Sequence, residues 1–139
     1  MDFTRRDTLA IGAAAAAVTA LPMPAMASLT EDAIAEFTGG ADVADGGVDL
    51  DAPEIAENGN TVPIEVSAEG AAAIMVLAAG NPTPGVATFN FGEGAGAHRA
   101  KTRIRLAGTQ DVIAVAKMAD GSFAKTQKTV KVTIGGCGG

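Results

Sequence analysis

The sequence contains no tryptophan, no tyrosine, one histidine and one cysteine, and each scarcity removes a class of structure or function. A zinc or copper site needs several nitrogen or sulfur ligands, and His98 and Cys137 alone cannot supply them. With five phenylalanines as the only aromatic residues, the core must be built mainly from Val, Ile, Leu, Met and Ala. We therefore expect no resident cofactor or metal, and one small domain of modest stability.

Basic residues and long apolar runs are also in short supply. Ten Lys and Arg face sixteen Asp and Glu, which gives a net charge of −6. Binding to nucleic acid rewards a basic surface, so we expect no nucleic-acid partner. The apolar run Leu9–Leu21 is too short to cross a bilayer and has no positive stop-transfer flank, so we expect no membrane anchor.

Residues 1–27 have the pattern of an export signal. Arg5 and Arg6 precede the apolar run, and the small residues Ala25-Met26-Ala27 form a candidate cleavage site. The stretch Thr4–Leu9 resembles the twin-arginine motif, although Thr8 stands where a bulkier apolar residue is more usual. An ordinary export signal with two incidental arginines is the alternative. Both predict that the mature chain works in the bacterial periplasm.

Residues 28–134 have the pattern of an immunoglobulin-like antiparallel β-sandwich with a short N-terminal helix. The helix is predicted from Ser28 to Phe37 with Thr30 as its N-cap, before a Gly- and Asp-rich loop that runs to Gly47. Alternating or continuous apolar residues, separated by turn signals, then predict six or seven short strands. The strand segments are 62–67, 71–79, 89–91, 101–106, 111–118 and 129–134.

The last five residues, 135–139, form a segment of a different kind. Gly135, Gly136, Gly138 and Gly139 surround Cys137, and four glycines cannot bury enough apolar surface to offset the entropy of ordering them. We therefore expect a mobile, thin arm. A single cysteine in an oxidising compartment indicates an intermolecular bond or a reactive thiol.

The surroundings of Cys137 in the sequence favour a carrier over a catalyst. Close to it there is no Lys, Arg or His that would stabilise the thiolate, so we expect the ordinary thiol pKa of about 8.5 and a small thiolate fraction at neutral pH. Activation would then come from the enzymes that the arm visits. We expect the chain itself to have no enzymatic activity.

The terminal segment and two internal stretches resemble the SoxY family, the sulfur carriers of the thiosulfate-oxidising Sox system. The internal stretches are Leu50–Gly59, which leads into Val62-Pro63-Ile64, and Lys101–Leu106. The resemblance implies covalent attachment of sulfur intermediates to Cys137, with the four glycines as a swinging arm. It also implies a heterodimer with an immunoglobulin-like SoxZ subunit and loading of a sulfur oxyanion, thiosulfate, by a haem enzyme. Later enzymes would hydrolyse sulfate from the adduct and oxidise the remaining sulfur.

Two other functions remain open at this point. A structural or adhesive immunoglobulin-like module would use Cys137 for an intermolecular disulfide. A ubiquitin-like sulfur carrier would form a thiocarboxylate at Gly139, but that chemistry needs ATP in the cytoplasm, which the leader argues against.

Other polar residues have simpler interpretations. We expect His98 to be a surface-loop residue, and Glu54 and Glu57 to belong to a structural strand-to-turn element without a pocket for acid–base chemistry. Lys101, Arg103 and Arg105 share one strand face, which is either a solvated face or a docking stripe for an acidic partner.

Overall fold

The computed structural model describes residues 25–134, and these form a β-sandwich with one helix. Helix α1 spans Ala25–Thr38. The strands are β1 Val43–Asp45, β2 Asp49–Asp51, β3 Ile55–Ala56, β4 Val62–Ser67, β5 Ala71–Ala78, β6 Gly85–Asn90, β7 Arg99–Ile104, β8 Gln110–Met118 and β9 Phe123–Val132. The predicted immunoglobulin-like sandwich and its short N-terminal helix are confirmed.

The strands form a large and a small sheet. The large sheet has the order β1-β9-β8-β5-β6, with β3 also paired to β9, and the small sheet has the order β2-β4-β7. All pairings are antiparallel except those of β1 and β3, which run parallel to β9. Strand β9 is therefore paired with β8 along one side and with two short strands along the other.

Aliphatic residues fill the space between the sheets, as the shortage of aromatic residues requires. Val62, Ile64 and Val66 of β4 are buried, while Pro63 between them is exposed, as expected for a half-buried strand. Strand β5 is buried on both faces because the small sheet covers one face and α1 covers part of the other. The continuous apolar run 71–79 correctly predicted this.

Helix α1 begins earlier than the sequence pattern indicated. The predicted start was Ser28, but the helix begins at Ala25 because Ala25-Met26-Ala27 are strong helix formers. Thr30 is therefore a buried residue inside the helix, and its assignment as the N-cap is wrong. Ala33, Ile34 and Phe37 pack on the outer face of β5 and β8, where Phe37 also meets the ring of Phe123 edge-on at 6.0 Å.

The turn between β8 and β9 forms where Ala119-Asp120-Gly121-Ser122 predicted it. Gly121 has a φ of 88°, a left-handed value that favours glycine. Asp120 Oδ1 accepts hydrogen bonds from Ser122 Oγ at 2.6 Å and from Ser122 N–H at 2.9 Å. These two bonds stabilise the carboxylate and lower the pKa of Asp120 below its usual value.

Candidate functional site

The predicted attachment residue lies outside the described part of the chain. Cys137 and the four glycines follow Ile134, the last described residue, and residues 1–24 of the predicted export signal are likewise outside it. The structure does describe the point from which the C-terminal segment departs. This root of the C-terminal segment consists of the four residues Lys131–Ile134.

The root is held by a segment that the sequence pattern classed as structural. The β8–β9 ladder ends at the pair Gln110 and Val130, and beyond it the chain bonds to residues 54–59, here called the clasp. The clasp contacts are Lys131 N–H to Glu54 O at 2.8 Å, Thr133 N–H to Ala56 O at 3.1 Å, Thr133 Oγ1 to Glu57 O at 3.0 Å and Gly59 N–H to Ile134 O at 2.7 Å. Every described residue of the root except Val132 bonds to the clasp.

Further bonds attach the root and the clasp to the sandwich. Val132 N–H donates to Thr109 Oγ1 at 3.0 Å, on the side of β9 opposite the clasp. Leu106 N–H donates to Gly59 O at 2.8 Å, which ties the end of the clasp to the chain after β7. The backbone at Ile134 is thus fixed through Gly59 to the body of the domain.

A network around Gln110 holds the loops next to the root. Gln110 Oε1 accepts from Gly80 N–H at 2.8 Å, and its Nε2 donates to Asn81 Oδ1 at 2.9 Å and to Gly108 O at 3.0 Å. Asn81 Nδ2 in turn donates to Arg105 O at 2.8 Å. Gln110 is buried, and each polar atom of its side chain is satisfied, so the network rigidifies the loops after β5 and β7.

Adding a methyl group at Gly80 should disturb this network. A Cβ at that position would lie 2.9 Å from Gln110 Cβ, which is an atom close to the backbone and cannot swing away. We expect Gly80→Ala to lower the free energy of unfolding by about 1–3 kcal/mol. Urea unfolding measures the change. Gly85→Ala is the matched control because its Cβ would meet nothing within 4 Å, and equal stability of the two variants would contradict the prediction.

The other candidate residues lie away from the root. Lys101 and Arg103 extend from β7, an edge strand of the small sheet. Lys101 Nζ lies 3.0 Å from Glu65 Oε2, and Arg103 donates to Thr61 Oγ1 at 3.4 Å. These exposed pairs contribute little to stability. Lys101, Arg103 and Glu65 line a groove of about 600 Å³ on the outer face of the small sheet.

His98 has a structural environment. Its Nδ1 lies 2.6 Å from Ala71 O, and its ring packs against Phe91 with the ring centres 5.6 Å apart. The backbone carbonyl of His98 also accepts a hydrogen bond from Ala68 N–H at 3.1 Å. His98 therefore joins the loop before β7 to the start of β5, which is more than the surface-loop role predicted for it.

Comparisons with known proteins define first the class and then the family. The chain matches the solved structure of superoxide reductase (neelaredoxin) from Ignicoccus hospitalis with a TM-score of 0.56 and 15% identity, over 63% of this chain and 80% of that one. A superoxide reductase from Archaeoglobus fulgidus gives a TM-score of 0.50 at 14% identity, over 66% of this chain and 94% of that one. At such identities the likeness shows the fold alone: a small immunoglobulin-like β-sandwich.

One family model and one solved structure go further. The model of the sulfur oxidation protein SoxY matches residues 34–137. The sulfur carrier protein SoxY from Chlorobium limicola f. thiosulfatophilum is 32% identical, with a TM-score of 0.69 over 77% of this chain and 94% of that one. A search of curated proteins found no match. The chain belongs to the SoxY family, as its sequence resemblance indicated.

Proposed function

We propose that the chain carries sulfur intermediates as covalent adducts on Cys137 during thiosulfate oxidation in the periplasm. The observation that carries this proposal is the extent of the family match, which runs from residue 34 to Cys137 itself. The solved relative is described as a sulfur carrier protein. The clasp contributes a second argument, because it fixes the chain only three residues before the thiol.

The chemistry proposed for Cys137 is the formation and cleavage of bonds between sulfur atoms. The thiolate of Cys137 forms a bond to the outer sulfur of thiosulfate and gives Cys–S–S–SO₃⁻. This oxidation releases two electrons, which the haem enzyme that catalyses loading accepts. Water then attacks the sulfonate group, releasing sulfate and two protons and leaving Cys–S–S⁻. Further enzymes oxidise the remaining sulfur. The chain supplies the attachment atom, and the enzymes supply the catalysis.

The proposed partner is an immunoglobulin-like SoxZ subunit. In the described part of the chain, β6 ends the large sheet and β7 ends the small sheet, each with a strand neighbour on one side only. Unpaired strand edges promote association unless another chain or charged side chains protect them.

No helix among residues 25–134 is long and apolar enough to span a membrane.

Intact-mass measurement of the protein purified from thiosulfate-grown cells tests the proposal. We expect adducts on the chain that a thiol reductant removes, and none on Cys137→Ser purified in the same way. A reductant-sensitive homodimer without adducts would instead identify an adhesive module. Replacement of one terminal oxygen by sulfur, retained in Cys137→Ser, would identify a thiocarboxylate at Gly139.

A further inference from the structure

Two strands of six residues lie at one margin of the sandwich, and within residues 25–134 each has a free edge. Strand β6 ends the large sheet and β7 ends the small sheet. The rings of Phe91 and His98 meet at 5.6 Å, and Asn81 Nδ2 donates to Arg105 O at 2.8 Å, so the two strands lie on the same side. The other margins are formed by β1, β2 and β3, whose edges are only two or three residues long and offer little to a further strand.

Charged residues guard the free edge of β7. Ala68 N–H donates to His98 O at 3.1 Å, and in an antiparallel pair only every second residue bonds to the neighbouring strand. Counting on from His98, the N–H and C=O groups of Arg99, Lys101 and Arg103 therefore point away from β4, towards the edge. All three residues are exposed cations, and charged residues on an edge oppose the addition of another strand.

The free edge of β6 has no such protection. Phe91 N–H donates to Ala72 O at 2.9 Å, so the same alternation directs the backbone of Phe89 towards β5. The N–H and C=O groups of Thr88 and Asn90 consequently point away from the sheet. Both residues are exposed and uncharged, as is the whole of Gly85–Asn90, so nothing in this strand opposes pairing with another chain.

The apolar side chains at this margin are only partly covered. Val86, Phe89, Phe91 and Ala100 pack against the main core but remain half-buried, whereas Val76 in the middle of the large sheet is fully buried. A strand added to β6 would cover more of this apolar surface and would also pair the free backbone groups. Both effects favour association at this edge.

We propose that β6 accepts an edge strand of the immunoglobulin-like SoxZ subunit, so that the large sheet continues into the partner. This inference rests on the proposed function, which names that subunit as the partner. A second copy of this chain is a poorer occupant, because a symmetric contact uses the same patch on both copies. It would bring the cations of two β7 strands to the same margin, where like charges repel.

The cations of β7 also indicate the charge that the partner carries next to its added strand. Glu65 already pairs with Arg99 at 3.4 Å and with Lys101 at 3.0 Å. Arg103 instead donates to Thr61 Oγ1 at 3.4 Å, a weak contact that leaves its charge available. The added strand should therefore have an apolar face towards the sandwich and a carboxylate within reach of Arg103.

Amide hydrogen exchange in the purified chain, with and without the purified SoxZ-like subunit, tests this proposal. In the free chain, Thr88 and Asn90 should exchange fast, and Phe89, which faces β5, should exchange slowly. The partner should slow exchange at Thr88 and Asn90 at least about tenfold, because both amides then form hydrogen bonds. Exchange at Lys101, on the edge of β7, should stay unchanged.

Substitutions at residue 88 test the same edge through the dissociation constant of the complex. Thr88→Pro removes an outward N–H while leaving the bonds to β5 in place, and should raise the constant at least about tenfold. Thr88→Lys keeps the backbone and adds the charge that guards β7, and should also weaken binding. Thr88→Val should leave it unchanged. Lys101→Pro is the matched control on the other edge and should change it by less than about threefold. Urea unfolding of each variant verifies that the sandwich is retained.

The outcomes separate this inference from the proposed function. Slower exchange at Lys101 and Arg103 instead of Thr88 and Asn90 would assign the partner to β7, and binding without protection of either edge would place it elsewhere. Protection of Thr88 that grows with concentration in the chain alone would identify a second copy as the occupant. Each of these results overturns the inference and leaves the carrier function intact. A complete lack of binding would overturn both the inference and the proposed partner, whereas the carrier function fails only if adducts on Cys137 are absent.

Discussion

Cys137→Ser is expected to abolish thiosulfate-dependent respiration while shifting the free energy of unfolding by less than about 0.5 kcal/mol. Serine has nearly the same shape as cysteine, but its hydroxyl cannot form a stable bond to sulfur. The buried hydrophobic residues of the described chain lie between Val48 and Val130, and we expect the substitution to leave their packing unchanged. Oxygen uptake by cells that carry only the variant gives the first quantity, and urea unfolding of the purified protein gives the second.

The two measurements together distinguish a carrier thiol from a structural one. An inactive variant with lowered stability would indicate a structural thiol, and an active variant would contradict the carrier function. Thr133→Ser is the matched control, because it also introduces a serine near the C-terminus. It keeps both hydrogen-bond donors of residue 133, the backbone N–H and the side-chain hydroxyl. It should preserve both respiration and stability.

Most of the longer strands could be predicted from the sequence, although the pattern gave only 129–134 for β9, which begins at Phe123. The short strands could not be predicted. Alternation in 62–67 and the apolar run 71–79 correctly predicted β4 and β5. Alternation in 101–106 predicted a strand that the structure places at Arg99–Ile104, so Arg105 lies beyond β7 and does not share its face with Lys101 and Arg103. Strands β1, β2 and β3 are two or three residues long, too short for a period to be recognised. They exist because longer strands pair with them: β1 and β3 lie along β9, and β2 lies along β4.

The end of β9 shows the same limit at the candidate site. Alternation of Val130, Val132 and Ile134 predicted a strand to Ile134 with all three on one face, but the strand ends at Val132 and Ile134 is exposed. The clasp was missed because it uses backbone carbonyls of Glu54, Ala56 and Glu57, which no side-chain pattern reveals. The available signal was the compact stretch Pro53–Gly59, correctly interpreted as structural but without a partner.

The proposed periplasmic location requires export, and Arg5 and Arg6 are the residues expected to direct it. Arg5 and Arg6 precede an apolar run in the arrangement of a twin-arginine signal, and that route transports proteins that have already folded. Helix α1 runs through the candidate cleavage site at Ala27, so part of the helix would leave with the signal. The residues that pack on the sandwich, Ala33, Ile34 and Phe37, would all stay with the mature chain.

Replacing both Arg5 and Arg6 with lysine is therefore expected to trap this chain and its SoxZ-like partner together in the cytoplasm. A folded complex needs one signal, and we propose that the partner has no leader and crosses while bound to this sandwich. Fractionation of cells followed by immunoblotting of both proteins measures the effect. Arg103→Lys with Arg105→Lys is the matched control, since it makes the same chemical change at two exposed positions of the mature domain and should leave export intact. If the partner reaches the periplasm while this chain stays behind, joint export is wrong, and the carrier function of Cys137 is unaffected because it depends on the opposite end of the chain.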